Sequence, residues 1–399
     1  MRFKLSSTLI RALFFLFAAG FCRAQDDQWV GTWGTSLQAV ETRNLPPPPG
    51  MTSNTLRQVV QVSIGGKRLR VRFSNAFGAT PATLSAAQIA LSAGGSSIQT
   101  NNDKALTFQD RSSVTIPAGE AVVSDPLDFD LAPLSDVAVT IDFGDTAAAV
   151  TGHPGSRTTS YLQAGDWVSA PDLPTAAKAE HWYILTGIDV EANPSSAAIV
   201  ALGDSITDGR GSGTDKNDRW PDNLARRLQT NPGTTGVAVL NAGIGGNCVL
   251  QGGLGPTALA RFDRDVLSQS RVRWLIVLEG VNDIGGSHDA AVATNLIAAY
   301  KTFIEQAHAH HIRVYGATIL PFGGSFYDRL EHEAVRATVN DWIRTSGRFD
   351  AVIDFDAALR DPQNPTHLLP AADSGDHLHP NETGYKLMAD AIDLKLFWK

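Results

Sequence analysis

Residues 198–209 read Ala-Ile-Val-Ala-Leu-Gly-Asp-Ser-Ile-Thr-Asp-Gly, and this stretch decides the fold of the C-terminal half of the chain. Its first five residues form an unbroken apolar run, which is typical of a parallel strand buried on both faces. Asp204 and Ser205 follow a glycine, and both residue types often cap helices. The stretch therefore predicts a strand that leads into a helix, with the Ser205 hydroxyl at the junction.

The same alternation of strand and helix continues to the end of the chain. Further buried strands are predicted at Val237–Leu240, Trp274–Leu278, Val314–Leu320 and Ala351–Phe355. Helical patterns lie at Asp222–Gln229, Asp289–His310, Asp328–Thr345 and from Asn381 to Leu394. Strands that alternate with helices predict an α/β fold, a doubly wound parallel sheet with helices on both faces.

The N-terminal half differs, because its predicted strands are short and bounded by turn residues. Residues 57–64 are followed by the turn signal Gly65-Gly66, and residues 67–73 alternate charged and apolar side chains. We therefore predict a hairpin with one buried face. Further strands are predicted at Ala87–Leu91, Ser113–Ile116 and Asp136–Phe143. Such a pattern is typical of an all-β sandwich or jelly roll.

A Pro- and Ser-containing segment, residues 193–196, separates the two patterns. We therefore predict a β domain at residues 25–192 and a catalytic α/β domain at residues 193–399. No catalytic motif lies in the β domain, so we expect it to support substrate access and not the chemistry.

Residues 1–24 have the features of a secretory signal peptide. Basic residues precede an apolar run, Ala12–Phe21, which is far shorter than the roughly 20 residues that a membrane span needs. Cleavage after Ala24 would release a secreted protein, periplasmic or extracellular, without a stable membrane anchor. A lipoprotein signal at Cys22 is the alternative, and the bulky residue before that cysteine argues against it. Loss of Cys22 would leave Cys248 as the sole cysteine, so no internal disulfide is expected.

Charge and composition exclude several classes of function. The formal net charge is −8 and no basic run is present, so we expect no nucleic-acid partner. His308, His310 and His311 cluster at the end of a helical pattern, where positive charge complements the helix dipole. Their spacing matches no zinc ligand set, and we predict neither a metal nor an organic cofactor. The sequence indicates no oligomeric state.

The candidate site lies after the strands, because open parallel sheets bind ligands beyond the carboxyl ends of their strands. Ser205 follows the first predicted strand and a glycine-rich segment, residues 241–247, follows the second. Asn282 follows the third, and Asp376 and His379 lie in the loop after the fifth. Together they supply a hydroxyl, backbone N–H groups, an amide, a carboxylate and an imidazole, which are the groups that acyl transfer requires.

These segments resemble the sequence blocks of the SGNH (GDSL) hydrolase superfamily. The resemblance implies a catalytic triad in which Ser205 is the nucleophile, and Asp376 and His379 are the acid and the base. It also implies an oxyanion hole formed by the Ser205 N–H, Gly246 and Asn282. On this basis the chain is expected to be a carboxylic ester hydrolase.

Three ambiguities remain within these blocks. Gly243 and Gly245 leave the register of the oxyanion glycine open, and Gly245-Gly246 or Asn282-Asp283 could each be only a turn. His377 also lies close to Asp376, but the family pattern places two residues between acid and base, which selects His379. A spacing of three residues in a turn also brings two side chains to the same side.

The N-terminal half resembles exported bacterial esterases of xylan-degradation contexts. The motifs that carry this resemblance are Gly31-Thr32-Trp33, residues 74–78 and Pro154-Gly155-Ser156-Arg157. The resemblance implies short acyl substrates, especially acetyl esters of plant polysaccharides such as xylan. Alternatives are a lipase or phospholipase-like acylhydrolase for longer acyl chains, and a carbohydrate-binding protein whose hydrolase half is inactive. Aromatic side chains that could stack on sugars are Trp29, Trp33, Trp167 and Trp182, and Trp220 could line the pocket, although most are expected in the core.

Overall fold

The computed structural model describes residues 28–147, 150–287, 289 and 291–398. The predicted signal peptide and cleavage site lie outside these residues. Within the described part of the chain, no helix is both long enough and apolar enough to span a bilayer.

The N-terminal region consists of antiparallel strands arranged in three sheets. Its strands are β1 (Trp29–Gly34), β2 (Gln38–Ala39), β3 (Asn54–Gln61), β4 (Gly66–Ser74), β5 (Ala82–Gly94), β6 (Ser97–Ile98), β7 (Lys104–Ala105), β8 (Val114–Ile116), β9 (Ala121–Val123), β10 (Leu127–Leu131), β11 (Asp136–Phe143), β12 (Thr151–His153), β13 (Ser160–Ala164), β14 (Ala177–Ala179), β15 (Trp182–Tyr183) and β16 (Leu185–Glu191). The strand orders are β1-β16-β4-β10 with β9 paired to β4, β14-β13-β3-β11-β5-β6 with β7 and β8 paired to β5, and β15-β12-β2. Short 3-10 helices lie at Thr42–Asn44 and Thr100–Asn102. The predicted β region is confirmed.

The predicted hairpin at residues 57–73 is wrong. Strand β3 pairs with β11 and β13, whereas β4 pairs with β16, β10 and β9, so the two strands lie in different sheets. The chain crosses between the sheets through residues 62–65, whose backbone groups bond to Thr32 and Ser135 and not to each other. Gly65 marks the crossing because a Cβ there would overlap the carbonyl of Leu131. The predicted alternation of β4 is nevertheless present, since Leu69, Val71 and Phe73 are buried.

The C-terminal region is a parallel sheet with helices. Its elements are β17 (Ala197–Gly203), α1 (Ser205–Asp208), α2 (Trp220–Thr230), β18 (Val237–Gly243), α3 (Ala258–Phe262), a π-helical turn at Asp263–Leu267, β19 (Val272–Leu278), α4 (Val281–Gly286), α5 (Val292–Ala309), β20 (Arg313–Ala317), α6 (Leu330–Thr345), β21 (Ala351–Ile353), α7 (Phe355–Leu359), β22 (Arg360–Asp361), β23 (Asn364–Leu368), a 3-10 turn at Pro370–Ala372, α8 (Glu382–Asp390) and a final 3-10 helix at Leu394–Phe397. Strands β22 and β23 pair with each other outside the parallel sheet.

The parallel sheet has the strand order β18-β17-β19-β20-β21. Helix α2 packs on α8 and α8 on α7, whereas α5 packs on α3 and α6, so the helices form two groups. This arrangement confirms the predicted doubly wound fold. The chain leaves β17 toward one edge of the sheet and β19 toward the other, so the crevice between these two strands is the topological switch point where ligands bind in such folds.

Three predicted elements end earlier than the sequence pattern suggests. Strand β20 ends at Ala317, because Ile319 N already donates to Asn340 Oδ1 instead of to a neighbouring strand. Strand β21 ends at Ile353, and Phe355 begins α7. The last helix ends at Asp390 and is followed by a 3-10 turn.

The β region covers the edge strand β18 of the parallel sheet. Gly31 and Gly34 of β1 lie so close to Leu240 that a Cβ on Gly31 would be 2.9 Å from its side chain. Val239 N, on the open edge of β18, donates to Ser63 Oγ at 3.1 Å. An uncovered edge strand is a site of unwanted pairing, and here the β region satisfies it.

Candidate active site

Ser205 is held at the N-terminus of the short helix α1, directly after β17. The Asp204 side chain caps this helix by accepting from Ile206 N at 2.9 Å. Gly203 makes the tight junction possible, because a Cβ there would overlap Thr207 and the backbone of Leu278. Ser205 is buried to all but 6% of its surface, and its Oγ lies 2.8 Å from His379 Nε2.

Asp376 and His379 are brought together by the turn that they occupy. Asp376 Oδ1 accepts from the backbone N–H of Leu378 and of His379, at 3.1 and 2.9 Å. Its Oδ2 lies 2.7 Å from His379 Nδ1. An ionised carboxylate can only accept, so Nδ1 carries the proton, and Nε2 of the neutral ring is left to accept from the Ser205 hydroxyl.

The electrostatics of this pair fit the same protonation states. Partial burial opposes ionisation of Asp376, but the hydrogen bonds from the His379 backbone and ring outweigh it and hold the pKa of Asp376 at about 2. Burial lowers the pKa of His379, the hydrogen bond to Asp376 opposes this effect, and Arg210 and Arg157 lower the pKa further. The imidazole is therefore kept neutral near pH 7, which is the form that can remove a proton.

His377 is directed away from this group. Its Nδ1 bonds to Asp373 Oδ2 at 2.6 Å, and about half of its side chain is exposed. The backbone φ of His377 is +60°, in the left-handed region, and its ring lies beside Gly324. The structure thus places His379, and not His377, between Asp376 and Ser205.

The glycine-rich segment after β18 forms one wall of the site. Gly245 and Gly246 both line the cleft that contains Ser205, and Gly246 has a φ of +70°. Gly243 does not line it, and its N–H already donates to Asn241 Oδ1 at 2.9 Å. Gly243 is therefore excluded, and the candidates for the N–H that donates to an oxyanion are Gly245 and Gly246.

Asn282 lies in the first turn of α4, next to the glycine-rich segment. Its Nδ2 donates to Asn247 O at 2.7 Å, and its Oδ1 accepts from the Tyr327 hydroxyl at 3.1 Å. These two bonds fix the orientation of the amide and leave one N–H of Nδ2 for a ligand. The sequence did not suggest Tyr327, because its link to Asn282 spans 45 residues.

Asp283 is also more than a turn residue. Its two carboxylate oxygens accept from Val249 N and Leu250 N, at 2.8 and 2.9 Å. These bonds hold the segment that carries Asn247, so Asp283 supports the position of Asn282 indirectly. Both residues of the Asn282-Asp283 pair thus have defined partners far away in sequence.

A buried charge network beneath the site was not predicted. Arg261 is fully buried and donates to Gly203 O and Ala242 O, at the ends of two strands, and to Asn247 Oδ1. It pairs with Asp265 and Glu279. Burial raises the pKa of Asp204 to about 7 and raises that of Glu279 well above its ordinary value. The Arg261–Asp265 spacing of four residues is the only trace of this network in the sequence.

The β region contributes directly to the walls of the site. The buried His153 ring bonds through Nε2 to Asp208 Oδ1 of helix α1, at 2.9 Å, and through Nδ1 to Ser36 O, at 2.8 Å. Asp208 is therefore a structural hydrogen-bond partner of His153. Gly155 packs against the same carboxylate.

The cleft above Ser205 has a volume of about 280 Å³ and is lined by residues of both regions. The β region supplies Gln38, Glu41, Arg43, Asn44, His153, Pro154, Gly155 and Arg157. The α/β region supplies Ser205 and His379, together with Arg210, Leu254, Phe326, Tyr327 and Leu378. Polar side chains predominate, and the apolar ones lie mainly on the α/β side.

The remaining candidates lie elsewhere. Trp29, Trp33, Trp182 and Trp220 are buried, and Trp167 alone of the five tryptophans singled out is exposed, at 42%. His308 bonds to Asp350 at 2.8 Å, and no group of three or more potential metal ligands occurs among the described residues. Burial raises the pKa of Cys248 to about 12, so it remains a thiol.

The sequence profile of the GDSL-like lipase/acylhydrolase family matches residues 201–387. The C-terminal half of the chain belongs to this family. The predicted membership is thus confirmed, and the protein is a carboxylic ester hydrolase.

Solved structures give matches over about half of this chain. The lipase/acylhydrolase from Enterococcus faecalis is 22% identical over 51% of this chain and 97% of its own, with a TM-score of 0.40. A GDSL-like lipase from Bacteroides thetaiotaomicron is 18% identical over 52% and 90%, with a TM-score of 0.39. The acetylxylan esterase Axe2 from Geobacillus stearothermophilus is 22% identical over 49% and 91%, with a TM-score of 0.37. No curated protein matches the chain.

Proposed function

We propose that this hydrolase uses Ser205 as nucleophile, His379 as general base and Asp376 as the carboxylate that orients the imidazole. The supporting observation is the continuous chain of hydrogen bonds from Ser205 Oγ to His379 at 2.8 Å and on to Asp376 at 2.7 Å. Ser205 attacks the ester carbonyl while His379 takes the hydroxyl proton. His379 then returns this proton to the departing alcohol, and water releases the acyl group by the same steps.

The oxyanion of each tetrahedral intermediate needs hydrogen-bond donors that point at the former carbonyl oxygen. We assign this role to the Ser205 N–H, the Gly246 N–H and the free N–H of Asn282. Donors that are fixed before the reaction stabilise the developing charge without reorganisation. The bonds of Asn282 to Asn247 and Tyr327 supply that rigidity.

We propose short acyl esters, especially acetyl esters of plant polysaccharides, as the substrates. The lining of the cleft supports this assignment, because a long acyl chain needs a continuous apolar surface and the polar β-region wall offers none. A polar wall suits a carbohydrate alcohol. The protein is proposed to be exported and cleaved after Ala24, on the sequence of residues 1–24.

One observation favours longer acyl chains as a second candidate. Leu254 and Phe326, which line the cleft, are 39% and 70% exposed. Exposed apolar side chains beside a cleft can mark a binding surface for an apolar ligand.

An ester panel tests the proposal. Purified mature protein would be assayed with p-nitrophenyl acetate, octanoate and palmitate, and for acetate release from acetylated xylan. We expect the highest kcat/KM for acetate, and activity on xylan. Ser205→Ala should abolish both activities while Ser112→Ala, at an exposed position, should leave them unchanged. A preference for palmitate would contradict the short-acyl assignment, and full activity of Ser205→Ala would contradict the mechanism.

A further inference from the structure

Three arginines surround the mouth of the cleft. We call Arg43, Arg157 and Arg210 the arginine cluster. All three line the same cleft as Ser205 and His379. Arg43 and Arg157 belong to the β region, whereas Arg210 follows the helix that carries Ser205.

The guanidinium donors of this cluster are largely unpaired within the described residues. The side chains of Arg43 and Arg157 make no hydrogen bond or ion pair there, and Arg157 Nε is buried without a partner. Arg210 reaches only 3.9 Å from Asp376 Oδ2. By comparison, Arg219 binds Asp222 at 2.6 Å.

Among the described residues, neither Glu41 nor Asp208 forms an ion pair with the arginine cluster. Glu41 accepts from Gln38 Nε2 at 2.8 Å and, through its other oxygen, from Asn44 Nδ2 at 2.9 Å. Asp208 bonds to His153 through Oδ1 while its Oδ2 has no hydrogen-bond partner, and Asp376 bonds to His379. The arginine cluster therefore faces the cleft with unpaired N–H donors.

Arg157 is held in place by the structure around it. Its carbonyl accepts from Asp215 N at 2.9 Å, and Asp215 in turn accepts from the N–H of Thr159 at 2.7 Å. Arg219 bonds to the neighbouring Ser156 O. The backbone φ of Arg157 is +51°, a conformation that a non-glycine residue keeps only where its surroundings impose it and that is often found at functional sites.

The cluster is also close enough to the reacting groups to affect them. After burial, the positive charges of Arg210 and Arg157 are among the causes that lower the pKa of His379. An anion bound by the cluster would therefore lie beside the ester under attack, and not at a remote surface.

We propose that the arginine cluster recognises a carboxylate carried by the ester substrate, close to the scissile bond. Guanidinium groups bind carboxylates through parallel N–H donors, and three of them around one cleft mouth select a charged substrate over its neutral counterpart. This inference rests on the proposed esterase function and adds a substrate class: acidic esters. The carboxylate can be on the alcohol, as in an acetylated uronic acid, or on the acyl group, as in a hemisuccinate.

Two matched substrate pairs distinguish these sources. The first pair is acetylated methyl glucuronoside against acetylated methyl glucoside, in which only the alcohol changes charge. The second is mono-p-nitrophenyl succinate against p-nitrophenyl butyrate, in which only the acyl group does. The readout is the ratio of kcat/KM for the anionic ester to that for the neutral ester, measured at low ionic strength.

The variants are Arg43→Gln/Arg157→Gln, Arg157→Lys and the control Arg111→Gln, which changes an exposed arginine outside the cleft. Loss of two charged hydrogen-bond donors should lower the ratio for at least one pair by about tenfold. Arg157→Lys keeps the charge but loses the parallel N–H donors, so it should retain only part of the preference, and Arg111→Gln should match the wild type. High salt should also lower the wild-type ratio, because it screens exposed charges.

Each outcome either locates the carboxylate on the substrate or contradicts the inference. A lower ratio for the glucuronoside pair places the carboxylate on the alcohol, and a lower ratio for the succinate pair places it on the acyl group. Unchanged ratios for both pairs, in variants with wild-type circular dichroism spectra, overturn the inference. Because a ratio is measured, equal losses on both esters also overturn it. If Ser205→Ala retained full activity, the proposed mechanism would fail instead, whatever the ratios.

Discussion

The β region and the α/β region hold their charged side chains in opposite ways. In the α/β region, Arg261 is buried and all its donors have partners, which fix the strand ends and the segment that supports Asn282. In the β region, Arg43 and Arg157 face the cleft with no ion pair among the described residues. A satisfied buried network provides rigidity, whereas free donors provide recognition. We therefore propose that the α/β region carries out the chemistry and that the β region contributes to the selection of substrate.

The motifs of the β region that carry the resemblance to exported esterases lie at the interface between the two regions. Gly31 packs on Leu240, and Gly155 packs on Asp208 of the helix that carries Ser205. Phe77 lies under Arg264, 5.4 Å from ring to guanidinium. These residues couple the β region to the catalytic sheet, so their role is to position the site.

The largest expected effect concerns the choice between His379 and His377, which both belong to the α/β region. We expect His379→Ala to lower kcat by about 10⁶-fold, because removal of a triad base costs about as much as removal of the whole triad. His377→Ala should keep most of the activity, since His377 bonds to Asp373. Steady-state kinetics on p-nitrophenyl acetate measure both. The reverse pattern in two folded variants would require Asp376 to be reassigned.

The next effect concerns the oxyanion. Asn282→Ala should lower kcat by about 10²–10³-fold with little change in KM, because the donor acts on charge that develops in the transition state. Tyr327→Phe serves as the matched variant: it removes only the hydroxyl that orients the amide and should cause a smaller loss in kcat. A rise in KM alone for Asn282→Ala would show that Asn282 binds substrate and does not stabilise the oxyanion.

A single methyl group added at the interface between the two regions should lower the stability of the protein. In Gly155→Ala, the new Cβ would overlap the Asp208 carboxylate, so we expect a loss of about 1–3 kcal/mol in the free energy of unfolding. Thermal unfolding followed by circular dichroism measures this loss. Gly286→Ala is the control, because its Cβ would meet nothing within 4 Å. Equal stability of the two variants would mean that the β region does not constrain helix α1.

The smallest effect tests whether the β region influences the chemistry at all. Activity requires neutral His379, so kcat/KM rises with pH through the pKa of His379, which lies below the ordinary value of 6.5. Arg157→Gln removes a positive charge that disfavours the imidazolium, so this pKa should increase and the acidic limb should move to higher pH. The pH profile of kcat/KM for a neutral acetate ester measures the shift. A shift to lower pH would contradict the sign of the interaction.

Much of the fold was predictable because each element leaves a local signal. Each of the five parallel strands contains a largely apolar run, and the strand predicted at Asp136–Phe143 matches β11 in full. The hairpin at residues 57–73 was predicted wrongly for the same reason. A double glycine between two strands indicates a reversal of the chain, but not whether the strands pair with each other or with partners in two different sheets.

The sequence by itself determined the doubly wound sheet, the family and the residues of the candidate triad, because strand periodicity and short motifs are local properties. It also favoured His379 over His377, since a spacing of three residues fits one turn. Only the tertiary structure decided which oxygen or nitrogen each side chain bonds, narrowed the glycine to Gly245 or Gly246, and brought Arg43 and Arg157 to the cleft. These contacts join residues far apart in the chain, such as His153 and Asp208. Their existence depends on how two independently patterned regions pack, which no local pattern encodes.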